Sequence, residues 1–71
     1  MKELTHEEWM YNPTPRMMWV WDNNEANRKK RIVIYFSEYG VKYPVIVLSD
    51  NFEGTHLYEH CAEITKPRRR F

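Results

Sequence analysis

Two tryptophans and a run of four cations occupy one short stretch of the chain, and they are the residues best suited to binding chemistry. Aromatic rings stack on nucleobases, while guanidinium and ammonium groups bind phosphate oxygens. Both kinds of side chain lie between positions 19 and 35. The sequence therefore predicts a ligand-binding surface made of Trp19, Trp21, Arg28, Lys29, Lys30, Arg31 and Tyr35.

Alternation along a strand decides whether these rings are accessible. If Met18 and Val20 point into a core, then Met17, Trp19 and Trp21 point outward, because successive side chains lie on opposite faces. A competing interpretation makes the tryptophan face the core, or covers it with an N-terminal helix carrying Trp9. The basic run is then a solvated turn, as most charge runs are.

Catalytic and metal-binding groups are poorly arranged in this sequence. His56, His60 and Cys61 are close in sequence, but a tetrahedral metal site needs about four ligands. We expect Cys61 to be a packing residue, since small buried thiols are usually inert. The carboxylates are not spaced as an acid and a base, and the two glycines, Gly40 and Gly54, form no phosphate loop. We predict no enzyme activity, no metal and no cofactor.

Secondary-structure patterns place these residues in a mainly β protein. Thr5 and Glu8 form a capping-box pattern before a short helix from His6 to about Met10, which Pro13 and Pro15 end. A period of two follows, first in "RMMWVW", then in "KKRIVIYF" and "VIV". In the second of these runs the alternation predicts Ile32, Ile34 and Phe36 on one face, with Arg31, Val33 and Tyr35 on the other. The last segment predicts a short strand, a tight turn at 59–61 and a final strand at 63–65.

Four or five short strands, regularly spaced, predict a small antiparallel barrel of SH3-like type with a short N-terminal helix. A three-stranded sheet capped by the helix is the alternative. The predicted division is a helix and Pro-containing entry at 1–15, the barrel at 16–65 and a basic tail at 66–71. With 71 residues and one cysteine, the chain is expected to be one small domain without an internal disulfide, suited to a reducing cytoplasm.

Charge is strongly segregated along the chain. The runs 28–31 and 66–70 together carry eight positive charges, so the remainder carries a net charge of −7 against an overall +1. An acidic body repels a long polyanion, which makes general nucleic-acid binding a weaker hypothesis than binding of a small anion. The sequence has no apolar segment long enough to span a bilayer, so no membrane association is predicted.

Three segments carry a resemblance to known proteins: "MMWVWDNN", "KKRIVIYF" and "YEHCAEI". Together they resemble a group of small phage-encoded proteins, mostly uncharacterised. Tyr58, His60 and Cys61 depart from that pattern, which favours Trp, Tyr and Ala at these positions. The resemblance implies a phage origin and an accessory, counter-defence role in the host cytoplasm, and it supplies no catalytic residue.

Two functional hypotheses follow. In the first, the protein sequesters a small nucleotide-like host signal, with Trp or Tyr stacking on the base and Arg or Lys binding phosphate. In the second, the same aromatic residues anchor an inhibitor on a host protein. Because one small domain has little room for a deep pocket, we also expect a homo-oligomer.

Overall fold

The computed structural model describes residues 2–38, 40–51 and 53–64. The predicted basic tail at 66–71 therefore lies outside the described residues, as does Thr65. Within the described ranges the elements are, in chain order, α1 (His6–Tyr11), β1 (Arg16–Trp21), a short 3₁₀ helix (Glu25–Asn27), β2 (Lys29–Phe36), β3 (Val45–Leu48), β4 (Thr55–Tyr58) and β5 (His60–Glu63). No helix in this part of the chain has the length and apolar character that crossing a bilayer requires.

Helix α1 begins with the predicted capping box. The Thr5 hydroxyl accepts a hydrogen bond from the Glu8 amide at 3.2 Å, and the Glu8 carboxylate accepts one from the Thr5 amide at 2.9 Å. Lys2 donates to the same carboxylate at 2.9 Å, and this bond, with the Thr5 amide, lowers the pKa of Glu8. Two N-terminal backbone donors of a very short helix are thereby satisfied.

The five strands form one antiparallel sheet in the order β4-β3-β2-β1-β5. The predicted antiparallel β fold with a short N-terminal helix is confirmed. The sheet is open, because β4 and β5 are its two edges and do not pair with each other. A closed barrel is therefore not observed. The tight turn predicted at 59–61 is wrong, since Glu59 alone separates the two strands and Cys61 lies within β5.

One face of the sheet packs against α1 and forms the core. Its fully buried side chains include Met18 and Val20 of β1, which decides between the two face assignments that the alternation left open. Trp9 lies in the same cluster and is completely buried, together with Leu4 from the preceding segment. The remaining members are Val33, Phe36, Val45, Val47 and Cys61, with Tyr58 packed against them. The helix thus covers the Met18 face and not the tryptophan face of β1.

The face assignment predicted for β2 is partly wrong. Val33 is fully buried in the core, whereas Ile32 and Ile34 are only half-buried. A β-bulge explains the difference: Val33 pairs with Val47 and Tyr35 with Ile46, so Ile34 is an extra residue. The bulge shifts the alternation by one residue and returns Phe36 to the core.

Arg16 joins three parts of the molecule at the start of β1. Its guanidinium binds the Glu63 carboxylate through two nitrogens, at 3.0 Å from Nε and 2.6 Å from Nη2. It also donates to the carbonyl oxygens of Asn12 and Thr14, and it lies 4.9 Å from the centre of the Trp9 ring. The hydrogen bond to Glu63 raises the pKa of Arg16 above its already high value. Arg16 therefore fixes the α1–β1 connection against β5 and the core tryptophan.

Replacing Trp9 tests this account of the core. We expect Trp9→Ala to lower the free energy of unfolding by about 3–5 kcal/mol, because it removes the largest fully buried side chain. Met10→Ala, one residue further along the same helix but 53 % exposed, is the control and should change it by about 0.5 kcal/mol or less. Urea denaturation measures both. Equal losses in the two variants contradict a core centred on Trp9.

Candidate ligand-binding surface

The face of the sheet that points away from α1 is called here the open face. The strand registers assign to it, strand by strand, the side chains of Met17, Trp19, Trp21, Lys30, Ile32, Tyr35, Ile46, Leu48, Thr55, Leu57, His60 and Ala62. None of these described positions is acidic. Most are apolar, and Met17, Tyr35 and Leu57 are 47–53 % exposed. The acidic body inferred from composition therefore does not extend to the strands of this face.

Trp19 is the centre of the cationic part of the open face. It lies opposite Lys30 in the β1–β2 register, with the Lys30 ammonium 5.1 Å from the ring centre. The guanidinium carbon of Arg28, just before β2, lies 4.7 Å from the same ring. Both distances are typical of cation–π contacts, which hold the cations beside the ring. The structure thus brings together three of the predicted site residues.

Trp21 is more buried than the prediction of a base-stacking ring implies. Its side chain is 7 % exposed, and its ring stacks on His60 with the centroids 5.5 Å apart and the planes at 30°. His60 is held in turn by Glu3, whose carboxylate lies 2.6 Å from Nδ1. His60 covers one face of this ring while the contact is in place. Trp21 is therefore buried against His60 in this structure, and its use as a stacking platform stays a prediction.

The basic run is divided between the two faces of the sheet. Lys29 lies opposite Val20 and Arg31 opposite Met18, so both alternate away from the side of Trp19. Arg31 also forms an ion pair with Asp50 at 2.6 Å. The prediction that Arg31 shares the outward face with Tyr35 is wrong, because the bulge at Ile34 changes the alternation between them. Of the four cations, Arg28 and Lys30 alone contact Trp19.

Tyr35 lies on the open face but far from Trp19. It pairs with Ile46 near the other end of β2 and is 47 % exposed. It lies five positions after Lys30, which corresponds to roughly 15 Å along a strand. Tyr35 and Trp19 therefore cannot hold the same base.

A small cavity of about 150 Å³ lies next to Lys30, one of the two cations that contact Trp19. The sequence analysis did not predict this cavity. Met17, Ile32 and Leu48 form its apolar part, and Lys30 lies on its border. Ser49 and the Arg31–Asp50 ion pair line its polar side. The alternating pattern identifies Met17 and Ile32 as strand residues, but it does not predict that they lie opposite each other, because that depends on the β1–β2 register.

A larger cavity, about 320 Å³, lies between the N-terminal segment and the β2–β3 connection. Leu4, Phe36, Val41 and Pro44 are among its apolar lining residues, and the Glu3–His60 pair borders it. It contains none of the predicted ligand-binding residues. We assign it no role in the Trp19 surface.

Cys61 is a core residue, His60 packs against Trp21, and His56 is exposed. Cys61 is fully buried in the core cluster, and burial raises the pKa of its thiol to about 12. His60 contacts Trp21 and Glu3, while His56 lies on the exposed edge strand β4. Within the described ranges, no three His, Cys, Asp or Glu side chains are grouped so as to hold a metal ion.

Comparisons with known proteins identify no relative: no family model, no curated protein and no solved structure matches this chain.

The Cys61 thiol should resist modification in the folded protein. The pKa of about 12 leaves almost no thiolate at pH 8, and the side chain has no exposed surface. Ellman's reagent should therefore react with Cys61 only after unfolding in urea. Because the folded pKa lies above the ordinary value of 9, the associated stability is complete below pH 9 and is lost as pH rises towards 12. Cys61→Ala should remove this part of the alkaline loss, and rapid labelling at pH 8 without urea would contradict the assignment.

Proposed function

We propose that this protein binds and sequesters a small anionic, nucleotide-like ligand at Trp19, Arg28 and Lys30. The observation that carries the proposal is the pair of cations held 4.7 and 5.1 Å from one half-buried indole ring. A base stacks on an exposed part of the ring, and its phosphate takes the two cations as partners.

The lack of carboxylate partners for Arg28 and Lys30 supports an anionic ligand. Arg16, Arg31 and Lys2 each form an ion pair with a carboxylate. Among the described residues, neither Arg28 nor Lys30 has a carboxylate partner, and the hydrogen bond that Arg28 donates goes to the Glu25 carbonyl oxygen. Two cations near each other without counter-charge attract a phosphate more strongly than paired ones do.

The biological setting follows from the resemblance to phage accessory proteins. A binding protein without catalytic groups, acting in the host cytoplasm, lowers the free concentration of a host signalling nucleotide and so counters a defence system. The strand order, in which β5 returns to pair with β1, supports assigning the sheet to the SH3-like type.

A second candidate function is inhibition of a host protein through the same surface. The apolar character of the open face favours it, since Met17, Tyr35 and Leu57 are each about half exposed. Aromatic and Met side chains of this kind are enriched in protein interfaces. This candidate predicts that Trp19 contributes to partner capture without any affinity for nucleotides.

Calorimetric titration with AMP, GMP and their cyclic forms tests the first candidate. Trp19→Ala should weaken binding by about 5- to 150-fold, which corresponds to the roughly 1–3 kcal/mol that stacking of one base supplies. Trp19 is only half-buried, so the variant should still unfold cooperatively. Trp21→Ala is unsuitable for this purpose because it removes a buried packing residue.

Lys29 and Lys30 provide a matched pair for the electrostatic contribution. They are adjacent and both exposed, but only Lys30 lies on the side of Trp19. Lys30→Gln should weaken binding at low salt and reduce its salt dependence, whereas Lys29→Gln should have little effect. Equal effects of the two substitutions indicate nonspecific attraction and contradict a site at Trp19. If no nucleotide binds to the wild type, and Trp19→Ala loses a host protein in a pull-down, the inhibitor hypothesis replaces this one.

A further inference from the structure

The two edges of the sheet are protected differently. Along β5, the Leu4 amide donates a hydrogen bond to the Cys61 carbonyl at 2.8 Å, and Glu3 contacts His60. The N-terminal segment therefore covers that edge. Strand β4 pairs with β3 on one side, and within the described ranges its backbone forms no hydrogen bond on the other side.

The side chains of β4 include none of the features that usually prevent an exposed edge strand from pairing with another strand. Soluble proteins usually protect an exposed edge strand with Lys, Pro, a bulge or a covering segment. Strand β4 reads Thr-His-Leu-Tyr, without Pro or Lys, and its register with β3 is regular. Three of its four residues are exposed, and Leu57 is 53 % exposed on the open face. Such an edge is a template for pairing with another strand.

We propose that a second copy of this chain pairs with β4, antiparallel and about a two-fold axis centred on Leu57. In this arrangement the unpaired N–H of Leu57 in each copy meets the Leu57 carbonyl oxygen of the other. The occupant is a copy of the chain because β4 carries no Lys, Arg, Asp or Glu. The strand can therefore face itself without repulsion between formal charges.

The register follows from symmetry and from the side chains. In a two-fold antiparallel pair, the N–H and C=O groups that point away from β3 meet their counterparts only if one residue lies directly opposite its own copy, with the axis between them. Centring on Leu57 places two exposed leucine side chains opposite each other on the open face, where they cover one another. Centring on His56 would instead place two imidazoles opposite each other.

The apolar side chains next to β4 extend the contact. Leu57 lies opposite Ile46, and Ile46 lies opposite Tyr35, so an apolar row crosses three strands to the dimer axis. A stable interface needs about 800 Å² from each partner, roughly a seventh of the 5526 Å² of this chain. Pairing joins the two rows into one and leaves Trp19, which is three strands away, accessible.

Introducing a positive charge at position 57 in one variant and a negative charge in another tests the dimer arrangement directly. We expect the wild type to sediment as a dimer at about 100 µM, which requires a Kd in roughly the micromolar range. Leu57→Lys and Leu57→Glu should each be monomeric, since like charges lie directly opposite across the axis. An equimolar mixture of the two variants should restore the dimer, because each Lys then faces a Glu. This rescue is expected only if position 57 faces its own copy.

Met10 provides the control, because it has the same 53 % exposure on α1. Met10→Lys and Met10→Glu should both remain dimeric. A monomeric wild type, or dimers in both single Leu57 variants, overturns the proposal. Dimers that are lost on Met17→Lys but kept in both Leu57 variants also overturn it, since the contact is then on the Met17 side of the open face. Nucleotide titration of the monomeric Leu57 variants measures the ligand proposal separately.

Discussion

The connection between β4 and β5 constrains the whole sheet. These strands are the two edges, four strand spacings apart, which in a flat sheet corresponds to about 19 Å. Only Glu59 separates them, so the Cα atoms of Tyr58 and His60 are at most about 7.6 Å apart. The sheet must therefore curl until its edges approach at this corner. Asp22 holds the corner by accepting a hydrogen bond from the Glu59 amide at 3.0 Å.

Curling gives the two faces different roles. The inner face is enclosed by the strands themselves, and one helical turn carrying Trp9 completes its cover. Arg16 keeps this cover in place through Glu63 and the carbonyl oxygens before β1. The outer face has no such cover among the described residues, so its side chains meet solvent. The tryptophans of β1 lie on this outer side because Met18 and Val20 occupy the inner one.

Local patterns in the sequence were sufficient for the helix and for the strand character of β1. The capping box depends on residues three apart, and alternation in β1 separated Met18 and Val20 from the tryptophans without deciding which face is the core. Long-range pairing was not readable in the same way. The bulge at Ile34 reversed the predicted faces of part of β2, and only the β2–β3 register reveals it. Trp21 was predicted as a ligand platform because nothing in its own strand shows that His60 lies beside it.

Alternation also explains why only two of the four cations at positions 28–31 lie beside Trp19. Lys29 and Arg31 are directed away from Trp19 by the same backbone geometry that directs Lys30 towards it. Arg31 is then neutralised by Asp50, a turn residue that the sequence alone does not connect to it. What remains beside Trp19 is a pair of cations on a face whose strand positions carry no carboxylate. The field near Trp19 is therefore set by these neighbours more than by the overall charge of +1, because solvent and salt screen charges farther away. A net negative charge over most of the chain is thus compatible with a locally cationic surface at Trp19 in one small protein.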